Sequence, residues 1–288
     1  MSTTTTAGHE GAFPLPYAVV DAGVAEGLAG NPAAVVRLDR ELPDDRLLDL
    51  ARALDEPVAA FVTRRDRPDS YGLRWFTRTA ELRICGHATM AASEWLLGVE
   101  GVAPEVEWHS HAGVLRAVRV DGNVTVDLPQ TVLVPADPAT ADRMAEALGQ
   151  RPVDCYAAGD DLLAVLAAPA DVITHIPDEP AIAGLRCRGL IVTAALPAAP
   201  PRPGGGYDIV SRFFAPSIAI PEDEVCVSAH CALYPFWSAA LGKGELRAWQ
   251  ASPRGGALRL VSRQPGRVAA TARCRLTRRG IWPPSDHG

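Results

Sequence analysis

Apolar residues along the chain fall mostly into short runs separated by turn residues, a pattern typical of buried β-strands. Helical spacing occurs in fewer stretches, of which 86–97 and 228–241 are rich in small and apolar residues. Because strands and helices do not alternate regularly, the pattern argues against a Rossmann or TIM-barrel arrangement. It predicts an α+β fold in which a mixed or antiparallel sheet wraps around a central helix, twice. The predicted strands are 17–21, 33–37, 59–63, 73–77, 106–108, 114–120, 124–128, 162–166, 190–193, 207–214, 246–250, 257–260 and 268–276, with further helices at 42–54 and 139–148.

Two segments of the chain share one order of residues. The first runs from Arg74-Trp75-Phe76 to Cys85-Gly86-His87-Ala88, and the second from Arg212-Phe213-Phe214 to Cys226-Val227-Ser228-Ala229. Each predicts a strand, a loop, a cysteine and a helix that begins just after that cysteine. A helix N-terminus offers unpaired N–H groups and the positive end of the dipole, so it binds carboxylates and favours thiolates. We therefore expect two helix starts that face each other across a small carboxylate.

This repetition predicts two lobes. The first is expected over residues 1–128 around a central helix at 86–97, and the second over 129–288 around a central helix at 228–241, with the final residues packing back on the first lobe. The Thr-rich segment 1–9 lacks the basic and apolar parts of a signal peptide and predicts a disordered tail. Residues 197–206, rich in proline and glycine, predict a flexible surface loop.

Charge and composition narrow the choice of partners. The net charge is −6 over 288 residues, which gives no support for binding nucleic acid or an anionic membrane. No apolar run approaches the length of roughly 20 residues that a membrane span needs. The six cysteines are scattered, without zinc-ligand spacing or an export signal, and indicate reduced thiols in a cytoplasmic protein.

Lysine usage bears on the cofactor. Lys243 is the only lysine in the chain, and it directly follows Gly242, a predicted helix C-cap. Pyridoxal phosphate is held on a buried lysine as a Schiff base, whereas a lysine at a helix end is typical of the surface. We therefore expect no pyridoxal phosphate.

Several long motifs resemble those of the phenazine-biosynthesis PhzF-like isomerases. They are Gly30-Asn31-Pro32-Ala33-Ala34, the two cysteine-containing segments described above, Ser211–Pro216 with Glu222-Asp223 and Ser228–Cys231, and Gln250–Gly256. The resemblance runs from about Pro16 to Gly280. It implies a diaminopimelate-epimerase-type fold, with two similar lobes and an active site in the cleft between them. It also implies an isomerase without cofactor or metal that acts on a small carboxylate metabolite and is often a homodimer.

The resemblance assigns roles to single residues of this chain. His87 matches the active-site histidine, Asp223 the acidic residue of the family's Glu-Asp-Pro motif, and Ser228 the serine at the start of the second helix. These three residues are expected to hold and polarise the substrate. Gly86, Ala229 and Asn31, which lie in the matching motifs, are expected to contribute to substrate binding.

The chain departs from the family pattern at two positions. Val58 occupies the position of the phenazine isomerase's proton-carrying glutamate, three residues before Phe61-Val62. Asp55 and Glu56 are nearby carboxylates, either a relocated base or a polar loop. Val227 stands where the family usually has glycine, and its branched side chain restricts the approach of a substrate to the backbone.

Two thiols offer another route for the proton. Cys85 and Cys226 match the two catalytic cysteines of the related diaminopimelate epimerases and occupy equivalent points of the repeat. In a two-base mechanism one thiolate removes a proton and the opposite thiol returns one, and helix N-termini lower thiol pKa values. Both cysteines can equally be small core residues. We therefore predict catalysis by Cys85 and Cys226, with His87 and Asp223, as a 1,1 or a 1,3 proton shift.

The sequence leaves two alternatives for the function. The chain can be an isomerase of a biosynthetic pathway, for example an antibiotic pathway that makes alkylproline units, or a catalytically inactive relative that binds a ligand or a partner. Loss of the glutamate at position 58 supports the second. His109 and His111 form a possible metal pair on one strand, but without a third ligand nearby a solvated strand explains them better.

Overall fold

The computed structural model describes residues 14–197 and 206–282. The tail predicted at 1–9 lies outside these residues, as does most of the loop predicted at 197–206. In the first part of the chain a helix that starts at Gly86 changes at Glu94 into a π-helical segment, Glu94–Glu100. The elements of this part are β1 (Leu15–Ala22), β2 (Asn31–Leu38), α1 (Asp44–Leu54), β3 (Ala59–Arg64), β4 (Ser70–Phe76), β5 (Glu81–Leu82), α2 (Gly86–Ser93), β6 (Glu105–Ser110), β7 (Gly113–Val120) and β8 (Asn123–Pro129).

The second part of the chain adds eight strands and four helices. A short 3₁₀ turn, Pro216–Ile218, follows the strand that carries Arg212. No helix among the described residues is long and apolar enough to cross a membrane. The elements are β9 (Leu133–Pro135), α3 (Pro138–Leu148), β10 (Asp154–Ala158), β11 (Asp161–Val165), α4 (Pro169–Ile173), α5 (Glu179–Ala183), β12 (Leu190–Ala195), β13 (Ile209–Phe214), α6 (Val227–Leu241), β14 (Glu245–Gln250), β15 (Gly256–Val261) and β16 (Arg267–Trp282).

The strand order repeats itself in the two parts. Strands β1-β2-β3-β4-β6-β7-β8 are neighbours in that order, and β10-β11-β12-β13-β14-β15-β16 are neighbours in the same way. The senses match too, since β2–β3 and β11–β12 are parallel, as are β4–β6 and β13–β14, while the remaining pairs are antiparallel. The predicted fold of two pseudo-repeated lobes is therefore confirmed.

Strand β16 joins the sheet of the first lobe (β1–β8) to the sheet of the second lobe (β9–β15). Its first residues pair with β15 on one side and β8 on the other, and its last residues, from Cys274 to Trp282, pair with β1. The first sheet thereby closes on itself around α2, whose eight residues are all buried. Closure removes the exposed sheet edges of this part of the chain. The lobe boundary at 128/129 stays a prediction, because β16 contributes to both sheets.

Apolar side chains pack on both faces of the sheet. The largest core cluster surrounds α2 and α6 and includes Met90, Trp108 and Leu233. A second cluster packs α3, α4 and α5 on the outside of β11–β13, and a third packs α1 on the outside of β2–β4. Each lobe thus has a central helix on one face of its sheet and peripheral helices on the other. This double cover explains why strands such as β3 and β11 are continuously apolar and not alternating.

The repeated arginines of the two segments make the same contacts. Arg74 forms a bidentate ion pair with Glu81 at 2.8 and 2.7 Å, and Arg212 does so with Glu222 at 2.7 and 2.7 Å. Each guanidinium also lies over the phenylalanine two residues later, at 5.1 and 4.8 Å from the ring centroid. Both arginines therefore tie the end of a strand to the loop that leads to a central helix.

Some sequence-based boundaries were wrong. Strand β2 begins at Asn31, two residues before the predicted start at 33, since Asn31 already pairs with Ala22. The last strand, predicted to end at residue 276, continues as β16 to Trp282 against β1. Strands β9 and β10 and the five-residue helices α4 and α5 were not predicted, because these short elements carry too few periodic apolar residues.

Candidate active site

A narrow cavity lies where the N-termini of α2 and α6 meet. It leaves about 60 Å³ for the centres of water-sized molecules. Larger grooves of about 460 and 370 Å³ occur elsewhere, but they are open and contain none of the predicted site residues. The wall of the cavity brings together seven of those residues: Asn31, Cys85, Gly86, His87, Asp223, Cys226 and Ser228.

Cys85 caps the start of α2. Its carbonyl accepts hydrogen bonds from the backbone N–H of Thr89 at 3.1 Å and from Thr89 Oγ1 at 2.7 Å, which fix the first turn. Its Sγ lies 3.5 Å from Nδ1 of His87. Burial raises the pKa of Cys85 to about 12, against the opposing effect of the Ala88 N–H. Burial also lowers the pKa of His87, so the pair rests as a thiol beside a neutral imidazole.

Cys226 occupies the equivalent position at the start of α6. Its N–H donates to Oε1 of Gln250 at 2.8 Å, and its carbonyl accepts from Nδ1 of His230 at 2.8 Å. Its Sγ lies 3.3 Å from Oγ of Ser228. Burial, with Asp223 nearby, raises the pKa of Cys226 well above its usual value, while Arg188 and Ser228 act in the opposite direction. The expected lowering of both thiol pKa values was therefore wrong, because desolvation outweighs the helix ends.

The two helix starts touch through Gly86 and Val227. A Cβ added to Gly86 would lie 2.5 Å from Cβ of Val227, closer than real side chains approach. Val227 is 1% exposed. Val227 therefore fills space between the helices, and the absence of a side chain at position 86 makes room for it.

Asn31 and Asp223 meet across the cavity. Nδ2 of Asn31 donates to Oδ1 of Asp223 at 2.5 Å and to the carbonyl of Val225 at 3.4 Å. Gln250, which orders Cys226, also donates to the carbonyl of Asp223. Asp223 raises the pKa of both cavity thiols through its charge. Its carboxylate therefore acts on both sulfur atoms of the cavity.

Position 58 lies in the cavity wall, but without a carboxylate. Val58 is 2% exposed and lines the cavity. The two neighbouring carboxylates have other partners, because Asp55 pairs with Arg78 at 2.5 Å and Glu56 with Arg278 at 3.1 Å. Neither Asp55 nor Glu56 lines the cavity. The structure therefore favours the polar-loop interpretation of these two residues over a relocated base.

The remaining sequence-based candidates lie elsewhere. Ala229 is buried in the core one residue beyond Ser228 and does not line the cavity. Lys243 lies on the surface and pairs with Asp208. His109 is the fifth residue of β6 and contacts Glu107 at 3.0 Å, whereas His111 lies beyond the strand. Within residues 14–197 and 206–282 no group of three His, Cys, Asp or Glu side chains can hold a metal ion.

Sequence reasoning missed the arginine of the cavity wall. Arg188 lies between α5 and β12, lines the cavity, and donates from Nη2 to Oγ of Ser228 at 3.2 Å. Its ion-pair partner is Asp161, which is 6% exposed. Asp161 and Ser228 are 27 and 40 residues away from Arg188 in sequence, so no local sequence pattern indicates these contacts.

Comparison with known proteins identifies the family. An isomerase of Pseudomonas aeruginosa, itself named as uncharacterized, is 39% identical over 245 residues, which cover 85% of this chain and 89% of that protein. The human phenazine biosynthesis-like domain-containing protein is 33% identical over 278 residues, with 88% and 94% covered. The crystal structure of a PhzF-family phenazine biosynthesis protein of Enterococcus faecalis superposes with a TM-score of 0.81 at 34% identity, covering 93% of this chain and 99% of that one. The family model described as phenazine biosynthesis-like protein matches residues 20–277, and the chain belongs to this PhzC-PhzF family of isomerase-type proteins.

Proposed function

We propose that the protein is an isomerase that moves a proton on a small carboxylic acid bound between α2 and α6, with Cys85 and Cys226 as the proton carriers. The observation that supports this most is that the two thiols, one from each half of the repeat, line a single cavity. A proton shift needs one group that removes a proton and another that returns one. Duplicated helix starts facing one cavity supply such a pair.

The surroundings of the two thiols support different roles. Cys85 has the neutral imidazole of His87 at 3.5 Å, which can accept the thiol proton and leave a thiolate at the start of α2. Among the residues that the structure describes, no imidazole lies within hydrogen-bond distance of the Cys226 sulfur, whose neighbour is the hydroxyl of Ser228. We assign Cys85 with His87 as the base and Cys226 as the acid. The reverse reaction exchanges the two roles.

Asp223 and Asn31 complete the proposed site. A carboxylate that faces both thiols suits a substrate with an N–H group, because the N–H can donate to it. Asn31 holds Oδ1 of Asp223 and leaves the other oxygen for such a donor. This favours a small amino or imino acid as the substrate. The proton then moves on the carbon that carries the carboxylate or on a conjugated one.

The finer expectations rest on the sequence resemblance. They are a role in antibiotic biosynthesis, for instance on an alkylproline unit, action without a cofactor and a homodimeric assembly. The expected cytoplasmic location rests on the six scattered cysteines. The alternative of a catalytically inactive binding protein is supported by one observation, the apolar Val58 in the cavity wall.

Deuterium exchange tests the proposal. The protein is incubated in D₂O with proline and other small amino and imino acids, and incorporation at carbon is followed by NMR. We expect exchange by the unchanged protein and a loss of at least about a hundredfold in C85A and in C226A. C155A, which changes a half-buried thiol outside the cavity, is the matched control. Exchange that survives in both cavity variants would remove the two-thiol mechanism, and binding without exchange would favour the inactive relative.

A further inference from the structure

Within the described ranges 14–197 and 206–282, Arg188 is the one arginine or lysine that lines the cavity of the proposed site. It precedes β12 and lies on the side of α6. The acidic residues of the same wall are Glu222, Asp223 and Glu224. Glu222 is neutralised by Arg212, and Glu224 accepts the N–H of Arg254 at 2.9 Å. An anionic ligand would therefore face an acidic wall in which Arg188 is the only permanent cation.

The guanidinium of Arg188 is held rigidly along one edge. Asp161 accepts from Nε at 2.8 Å and also from Nη2, which forms a bidentate pair. The ring of Phe213 lies under the guanidinium, with its centroid 5.3 Å from Cζ. Asp161 is buried, so this ion pair is weakly screened by solvent. The orientation of Arg188 is thus set before any ligand arrives.

One amino group at the other edge of the guanidinium, Nη1, remains available. Nη2 reaches Oγ of Ser228 at 3.2 Å, and among the described residues Nη1 has no hydrogen-bond partner. A second cleft of about 240 Å³ is also lined by Arg188 and Ser228, together with Leu82 and Ile84, which it shares with the cavity. The free edge of Arg188 therefore stands where the cavity and the second cleft join.

We propose that Arg188 and Ser228 form the binding site for the carboxylate of the substrate. The identification of this ligand as the isomerised acid rests on the function proposed above. A carboxylate there accepts hydrogen bonds from Nη1 of Arg188 and from the hydroxyl of Ser228, and the first N–H groups of α6 reinforce the site. Asp161 is a positioning residue that holds the guanidinium in place. The site also predicts where a larger substrate extends, namely into the cleft beyond Leu82 and Ile84.

A structural role predicts different behaviour. If Arg188 only neutralised Asp161, removal of both charges together would leave the cavity unchanged toward anions. The double variant R188Q/D161N tests this, because it removes the pair without leaving one buried charge unpaired. The matched control is R259Q/E245Q, which removes an exposed bidentate pair with distances of 2.6 and 2.6 Å.

Two alkylating probes of equal size report on the anion site without any substrate. Iodoacetate carries a carboxylate and iodoacetamide is neutral, and both alkylate a thiolate with loss of iodide. Their rates at Cys226 and Cys155 are measured separately by peptide mass spectrometry. We expect the ratio of iodoacetate to iodoacetamide rates at Cys226 to fall about tenfold or more in R188Q/D161N, the effect of one charge-assisted hydrogen bond. The ratio at Cys155, and both ratios in R259Q/E245Q, should stay unchanged.

The outcomes separate the two proposals. An unchanged ratio at Cys226 overturns the carboxylate site. A reduced ratio with no deuterium exchange on any acid keeps the site and removes the proposed isomerase. Exchange that proceeds with the same KM in R188Q/D161N keeps the isomerase and removes Arg188 from it.

Discussion

The starts of α2 and α6 are equivalent in the repeat, yet they differ in what surrounds their sulfur atoms. In both, the side chain four residues after the cysteine bonds the cysteine carbonyl, Thr89 at 2.7 Å and His230 at 2.8 Å. The surroundings of the two sulfur atoms differ. Cys85 contacts the imidazole of His87, whereas Cys226 contacts the hydroxyl of Ser228, which also accepts a hydrogen bond from Arg188. The shared backbone places both thiols at one cavity, and the different side chains give them different chemistry.

The difference shows how a duplicated structure can serve an asymmetric task. A two-base reaction needs unlike groups on the two faces of the substrate carbon, one deprotonated and one protonated. Burial raises the pKa of both thiols, so each rests protonated. Of the two helix starts, only that of α2 has an imidazole next to its thiol. The α6 side has instead a cation that suits the carboxylate.

The largest expected effects come from replacing the side chains that contact the two sulfur atoms, His87 and Ser228. H87Q should reduce deuterium exchange at least about hundredfold, because it removes the imidazole that accepts the Cys85 proton. S228A should reduce it about tenfold, the value of one hydrogen bond. Iodoacetamide labelling of each cysteine provides the second measurement. Labelling of Cys85 should fall in H87Q while that of Cys226 is maintained, and an equal fall at both cysteines would contradict the assignment of separate roles.

The contact between the helix starts should affect stability. G86A forces a Cβ to within 2.5 Å of Cβ of Val227 and should lower the free energy of unfolding by roughly 1–3 kcal/mol through overpacking. V227A relieves the contact, so the cost in G86A/V227A should be smaller than the sum of the single costs. G244A, where an added Cβ meets nothing within 4 Å, is the control. Additive costs, measured by denaturant unfolding, would mean that the two residues do not press on each other.

His230, near the start of α6, should make the free energy of unfolding depend on pH. Its Nδ1 donates to the Cys226 carbonyl and its Nε2 lies 3.3 Å from Ser211 Oγ, while burial lowers its pKa from 6.5 to about 4. Between these pH values the unfolded chain binds the additional proton, so the free energy of unfolding decreases as pH falls. Between pH 7 and pH 5 His230 should contribute a loss of about 2 kcal/mol.

The variant H230Q isolates this contribution. It cannot titrate, so its stability should fall by about 2 kcal/mol less than that of the unchanged protein over the same pH interval. Urea unfolding at pH 7 and pH 5 measures both differences. His87, whose pKa burial also lowers, is present in both proteins and cancels. Equal losses in the two proteins would show that His230 is not held neutral by the fold.

Much of this architecture could be predicted from the sequence, because it follows from local patterns. The apolar runs that become β3 and β11 and the caps of the helices lie in short stretches of sequence. Asp137, for example, accepts the N–H of Thr140 at 3.0 Å at the start of α3, and Gly242 ends α6 with φ +62°. The resemblance of the two cysteine segments also pointed to the two central helices.

The parts that could not be predicted depend on distant contacts. Arg188 meets Ser228 only after the strands between them have paired, and Val227 meets Gly86 across 141 positions, the spacing of the two repeats. The sequence-based prediction that the pKa values of both thiols are lowered was wrong for the same reason. Helix starts are local, whereas the burial that outweighs them comes from the whole cavity wall.

The smallest effect should come from Thr89, which occupies on α2 the position that His230 occupies on α6. T89V keeps the shape of the side chain but removes the hydrogen bond from Oγ1 to the Cys85 carbonyl. The carbonyl still accepts the N–H of Thr89 at 3.1 Å, so the loss should be about 1 kcal/mol or less. Because threonine does not titrate, this loss should be the same at pH 7 and pH 5 by urea unfolding. A pH-dependent loss in T89V would show that the two equivalent positions are coupled, and not specialised separately as their different partners indicate.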